Sequence, residues 1–316
     1  MAIRRLAAAT SFFLAAAVCV SSIQARQDGT PKTPKLNLDV DVVLVNASVM
    51  DSVRNRPMSG LNKNNFQIWE DRVEQKITEF SSEDVPISVG IIFDVSGSMG
   101  GSIGTARAAA AAFFKSGTRS DEYFEVQFSD RPRIVSDFTS DVSKLQQSIL
   151  STPPKGSTAL FDAVYLGLNK LKESSNPKRA LLLISDGDDN HSRYTLSNVR
   201  DFLREQNVQI YAIDVTGSAF FTAGTLNQMT NLSGGQTFYP GNGASMADIC
   251  RKIASELKNQ YVLGYRSTNT AKDGAWRRIK VAVNLPKTPY ANVALTVRAK
   301  QGYYAPSGDE VTSKKK

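Results

Sequence analysis

An apolar run over residues 89–93 ends on Asp94, and Ser96 and Ser98 follow on alternate positions with Gly97 between them. A tight turn after a buried strand lets Asp94, Ser96 and Ser98 converge, and three hard oxygen groups suit a hard cation such as Mg2+. The same residues also suit a plainer task, because Asp94 or Ser96 can cap the helix that follows such a strand. Two further stretches bear on the choice. Thr158 stands in Gly156-Ser157-Thr158-Ala159-Leu160 at the expected start of a helix, and Asp186 follows the apolar run 180–184 in Ser185-Asp186-Gly187. Together the three loops offer two carboxylates and three hydroxyls, a set that fits octahedral oxygen coordination with some waters retained. Zinc prefers His and Cys ligands and is disfavoured here.

Catalytic chemistry finds fewer supports. Ser96 or Ser98 as a nucleophile would need a general base. The only histidine is His191, in a polar loop, and no Gly-x-Ser-x-Gly frame surrounds either serine. Gly97, Gly100, Gly101 and Gly104 lack the Lys-Ser/Thr that completes a phosphate-binding loop. Asp188 and Asp189 read as solvated loop carboxylates. The chain is therefore read as a non-enzyme. A metal-dependent hydrolase recruiting Asp188 or His191 as base is the alternative, and a structural envelope protein whose metal serves folding alone is a third.

The elements that must position these residues follow from periodicity. From Pro86 the pattern alternates: strand 87–93, alanine-rich helix 105–115, strand 123–128 with a hairpin partner at 133–138, and helix 142–150 capped by Ser140 or Asp141. Then come helix 160–171, strand 180–184, helix 197–205, strand 208–213, helix 225–232, a short strand 237–239 and helix 245–259. Fully apolar strands alternating with amphipathic helices predict an α/β fold, doubly wound on a mostly parallel sheet. Ligands bind outside the carboxyl ends of such strands, where all three loops fall. The flanks differ. Leu36, Leu38, Val40, Val42 and Leu44 lie on one face of a period-two pattern, 66–70 and 74–80 read as strands meeting at Asp71-Arg72, and 261–265, 276–283 and 293–300 read as strands. The N- and C-terminal strands are expected to pair into a small flanking β-sandwich, with the α/β domain inserted between them.

Composition sets the outer limits. With 316 residues, 41% hydrophobic and 22% charged, the chain is ordinary for a globular protein of one large or two moderate domains. Arg4 and Arg5, an apolar stretch over 6–20 and small residues up to Ala25 have the three-part layout of a secretory leader. The resulting division is a signal peptide over 1–25, a linker over 26–35, the N-terminal part of the β domain over 36–85, the α/β domain over 86–260, C-terminal β strands over 261–305 and a tail over 306–316. Cleavage removes Cys19 and leaves Cys250 as the one thiol, read as a buried small hydrophobe. It also removes two of the 38 basic residues against 30 acidic ones, lowering the net charge from +8 to +6. Lys314, Lys315 and Lys316 carry part of that excess. No basic run interleaves with aromatics, so nucleic acid is not an expected partner. No membrane-spanning segment is expected after cleavage, and the destination is exported: periplasmic, cell-surface or secreted.

Asp94-Val95-Ser96-Gly97-Ser98, with Thr158 in its Gly-Ser-Thr-Ala-Leu loop and Asp186 in Ser-Asp-Gly, resembles the metal-ion-dependent adhesion site of von Willebrand factor type A domains. The resemblance spans roughly 86–260 and includes 226–238, where a Leu-bearing helix leads into Ser233-Gly234-Gly235. The flanks 61–80 and 261–304 resemble a family of exported bacterial proteins related to this domain, although Arg72 replaces the glycine expected at that hairpin. The resemblance implies that Ser96, Ser98 and Thr158 contact Mg2+, or alternatively Mn2+ or Ca2+, through their hydroxyls, while Asp94 and Asp186 hold metal-bound waters. It further implies an adhesion-type module whose metal engages an Asp or Glu of a partner protein.

Overall fold

The apolar runs that end in the candidate ligands become the centre of one sheet. The computed structural model describes residues 42–118, 120–216, 223–240, 245–285 and 294–307. The leader over 1–25, the linker over 26–35, Leu36, Leu38 and Val40, the lysines 314–316 and most of the expected tail lie outside the described residues.

The chain begins with β1 (Val42–Asp51), β2 (Arg56–Pro57), β3 (Phe66–Glu70), β4 (Val73–Gln75) and β5 (Ile77–Ser81). An alternating stretch follows: β6 (Ile87–Asp94), α1 (Ile103–Phe114), β7 (Glu122–Phe128), β8 (Pro132–Thr139), α2 (Val142–Ser151), α3 (Leu160–Lys170), β9 (Lys178–Ser185), α4 (Leu196–Arg204), β10 (Gln209–Asp214), α5 (Ala223–Ser233), β11 (Thr237–Phe238) and α6 (Met246–Lys258). Then come β12 (Tyr261–Arg266), β13 (Trp276–Val283), β14 (Leu295–Ala299) and β15 (Gly302–Tyr304).

The α/β sheet has the order β11-β10-β9-β6-β7-β8. All neighbours in it are parallel except the β7–β8 hairpin, so the sheet is mixed, with one antiparallel edge. Every residue of β6 is buried, because helices cover both faces. On one side Ala106, Ala109 and Phe113 of α1 and Ile249 and Ile253 of α6 pack on Val89, Ile91 and Phe93. On the other, Ala163, Val164 and Leu168 of α3, Val199 of α4 and Leu226 of α5 join Ile92, Leu181 and Leu183. Burying each Val, Leu, Ile or Phe among them contributes about 1.5–3 kcal/mol, and each Ala less. The alanines of α1 bring that helix close without a large side chain in between. The strand order reverses at β6, which lies between β7 and β9, and this switch opens a crevice beyond Asp94.

The flanking strands form two antiparallel sheets, β14-β1-β12-β5 and β15-β13-β3-β4. Each mixes strands from both ends of the chain. Val45, Ala47 and Val49 share one hydrophobic cluster with Phe66, Ile68, Tyr261, Leu263 and Ile279. Three details differ from the sequence reading. In β1 the cluster-facing residues are odd-numbered, one position out of phase with Val42 and Leu44. The reason is burial on both faces: Asn46, Ser48 and Met50 are also covered, so alternation does not mark the core side. The strand expected over 74–80 is split, β4 pairing with β3 and β5 crossing to pair with β12. A further strand, β15, pairs with β13. The Asp71-Arg72 corner forms with both residues at positive φ, 46° and 74°, as a tight hairpin of matching twist demands. Among the described residues no helix is long and apolar enough to cross a membrane.

Candidate metal centre

Register brings the strand ends level. Asp94 pairs with Phe128 across β6–β7, Phe93 with Ile184 across β6–β9, and Asp214 with Ser185 across β9–β10. Asp94 is fully buried. Its Oδ2 accepts from the Ser185 hydroxyl at 2.6 Å and its Oδ1 from the Ser96 backbone N–H at 2.8 Å. Burial pushes its carboxyl up to about 6 against these hydrogen bonds, and the nearby Asp186 charge adds to the rise. The second turn residue is thus held by the first: Asp94 fixes the Ser96 backbone, and the Ser96 and Ser98 hydroxyls lie 3.0 Å apart. Neither serine hydroxyl caps a helix. Ser96 begins the short 3-10 turn 97–101 without a side-chain cap bond, and the N-cap of α1 is Ser102.

Backbone hydrogen bonds tie the three loops together. Gly97 N–H donates to the Gly156 carbonyl at 2.9 Å, and Lys155 N–H donates to the Val95 carbonyl at 2.8 Å. Gly156 has φ +85°, and a Cβ there would meet Asp130 Oδ2 at 2.8 Å; Asp130 meanwhile accepts from the Ser157 N–H at 2.7 Å. The Thr158 backbone is clamped by the third loop. Its N–H donates to Asn190 Oδ1 at 2.9 Å, and its carbonyl accepts from the N–H groups of Asn190 and His191, both at 3.0 Å. Thr158 is buried, yet its hydroxyl makes no hydrogen bond among the described residues. Asp186 is buried just beyond β9, its Oδ1 within 3.5 Å of the Asp188 N–H. Neither Asp94 nor Asp186 forms a salt bridge among the described residues.

The donor set therefore fits a hard divalent cation. Two buried carboxylates lack a cationic partner, and the hydroxyls of Ser96, Ser98 and Thr158 supply further oxygen donors on the same tied loops. Among the described residues no group of three or more His, Cys, Asp or Glu gathers to hold a metal, so any site here rests on hydroxyls as much as on carboxylates. The side chain of His191 is exposed and makes no hydrogen bond to Ser96 or Ser98.

Three neighbours were missed from sequence. Ser185 donates to Asp94, Asn190 bridges two loops, and Asp214 ends β10 at the same sheet edge, fully buried. Asp214 accepts from the Thr216 N–H at 2.9 Å and from its hydroxyl at 2.6 Å. Burial raises the Asp188 carboxyl, helped by the charges of Asp186 and Asp214. A signal for Asp214 was present: 210–213, like 89–93, is an apolar run followed by aspartate.

Residues 89–188 match the family model of the von Willebrand factor type A domain. A search of the curated proteins found no match. Among solved structures, an aerotolerance-related membrane protein from Bacteroides fragilis is 16% identical, with a TM-score of 0.47, over 55% of this chain and 98% of that one. A von Willebrand factor type A protein from Catenulispora acidiphila is 12% identical, with a TM-score of 0.48, over 87% of this chain and 76% of that one. The von Willebrand factor domain of the type V pili tip protein Mfa5 from Porphyromonas gingivalis is 26% identical, with a TM-score of 0.30, over 34% of this chain and 39% of that one.

Proposed function

Because the chain contains a von Willebrand factor type A domain, we propose that it is an exported, adhesion-type binding module that engages an acidic residue of a partner protein through Mg2+. Ser96, Ser98 and Thr158 would hold the ion through their hydroxyls, and Asp94 and Asp186 would hold its waters. A bound divalent cation supplies an electrophilic position that a partner's carboxylate can complete. The single observation that carries this reading is the pair of buried, unpaired carboxylates on loops stitched to the Thr158 loop. Asp94 orients the Ser96 turn, Ser185 orients Asp94, and Asn190 fixes the Thr158 backbone; each keeps an oxygen donor in place before any ligand arrives. We also read the two antiparallel sheets as one β-sandwich, a reading supported by their shared hydrophobic cluster. The leader-like start of the sequence supports export.

Calorimetric titration of Mg2+ into the wild type and Asp94→Ala tests the site. Binding to the wild type and at least tenfold weaker binding to the variant is the expected result; equal heats would remove the site. Mg2+ at about a hundred times the wild-type dissociation constant should also stabilise the wild type by about 2.7 kcal/mol and Asp94→Ala by no more than about 1.4 kcal/mol.

A further inference from the structure

A cavity of about 600 Å³ opens beside the Asp94–Ser98 turn, lined among others by Val95, Asp130, Arg131, Arg133, Thr152 and Lys155. Its walls are continuous with the candidate metal loops, since Val95 separates Asp94 from Ser96 and accepts the Lys155 N–H. The outer wall is braced: Arg107 donates to the carbonyls of Ile149 at 3.1 Å and Thr152 at 2.9 Å. Three cationic side chains face one anion there. Asp130 is already engaged by the Ser157 N–H at 2.7 Å, and that hydrogen bond is the main reason its carboxyl sits below the usual range. Arg133 donates to Gln127 Oε1 at 3.3 Å. None of Arg131, Arg133 and Lys155 forms a salt bridge among the described residues. Arg131 is attracted to Asp130 and Arg133 to the buried Glu125 without salt-bridge contact. Three such cations around one concavity raise the local concentration of anions, guanidinium groups matching carboxylates in fork geometry. The volume is that of an ordinary ligand pocket, ample for one or two side chains.

We propose that this basic cavity is a second anchor for the same protein partner, taking an Asp or Glu that lies near the acidic residue held at the metal. The inference rests on the metal-bridged reading above. It adds a specificity rule: the preferred partner segment carries two acids at a fixed spacing, one for the ion and one for Arg131, Arg133 and Lys155.

The test is an NMR titration of the isotope-labelled protein, in Mg2+ and in EDTA, with synthetic Gly-Ser peptides. One peptide carries a single Asp, a set carries Asp and Glu at graded spacings, and a control carries Asn and Gln. In Mg2+ the best two-acid peptide should bind at least about tenfold more tightly than the one-acid peptide and shift the amides of Arg131, Arg133 and Lys155. The triple variant Arg131→Gln/Arg133→Gln/Lys155→Gln, with its fold checked by thermal melting, should lose that preference. Arg131→Lys/Arg133→Lys, which keeps the charge and loses the guanidinium fork, should keep only part of it. Equal affinity for one- and two-acid peptides, or a preference surviving in the triple variant, overturns the proposal. Mg2+-dependent binding of the single-Asp peptide with no second-acid preference sinks the cavity and leaves the metal reading standing. A second-acid preference that is indifferent to EDTA would show acid binding without the ion and would overturn the two-anchor rule together with the metal reading. Failure of every peptide to bind overturns both.

Discussion

At the scale of single residues, burial decides how each carboxylate behaves. Asp94 is kept at the sheet edge by Ser185 and by the Ser96 backbone, so its charge is used to shape a turn. Glu125 on β7 shows the opposite case. It is fully buried, accepts from Gln127 at 2.7 Å, and leaves Oε2 without a partner. Burial pushes its carboxyl from 4.5 up to about 7. The folded state therefore holds the proton more tightly than the unfolded chain does. Below about pH 4.5 the group is neutral in both states and costs nothing; as pH rises through 7 the folded protein loses stability, up to about 3 kcal/mol. Glu125→Gln should thus melt progressively higher than the wild type between pH 5 and pH 8. Parallel melting profiles over that range would show that Glu125 is not held neutral. Sequence alone marked Asp94, Ser96, Ser98, Thr158 and Asp186 by type and spacing. Asn190 and Ser185 escaped, because their partners are distant in sequence and neither residue stands in a distinctive motif.

At the scale of elements, the legible parts are those whose burial is uniform. β6 and β9 read as unbroken apolar runs because helices cover both faces, and α1, α2, α4 and α6 begin within a few residues of their expected starts. Asp141, Thr195 and Ser245 each accept a hydrogen bond from the first turn of the helix they precede. The β flanks were harder. β4 and β5 form one continuous β-like stretch in sequence, and only the competition between β3 and β12 for partners divides it near Lys76. The β3–β4 hairpin carries a local cost, since Arg72 sits at φ 74°, where a side chain is strained. Asp71 compensates in part, its Oδ1 accepting from the Arg278 N–H at 2.9 Å. Arg72→Gly should raise stability by about 0.5–1 kcal/mol, after the entropy that glycine adds to the unfolded chain. A denaturation midpoint equal to or below that of the wild type would mean that the turn is already relaxed.

At the scale of the whole molecule, both chain ends build the same two sheets. β1 lies between β12 and β14, β5 pairs with β12, and β3 lies between β13 and β4. A chain ending at Asn259 would strip β1 of β12 and β14, β5 of β12 and β3 of β13, and expose their edges. It should aggregate or lose the cooperative melting of the full protein; a soluble, cooperatively melting truncation would show that the N-terminal strands stand alone. What the sequence determined by itself was local: the strand–helix rhythm, the acids and hydroxyls that end the central strands, and their place at one edge of the α/β sheet. These follow from periodicity and from residue chemistry, which act over a few neighbours. Tertiary structure decided the rest. It set which face of β1 meets the cluster, where β4 gives way to β5, how Gly97, Gly156 and Asn190 stitch three loops to one another, and that Arg131, Arg133 and Lys155 gather beside them. Each of those outcomes depends on contacts between residues far apart in the chain, and such contacts leave no period or spacing in a single sequence.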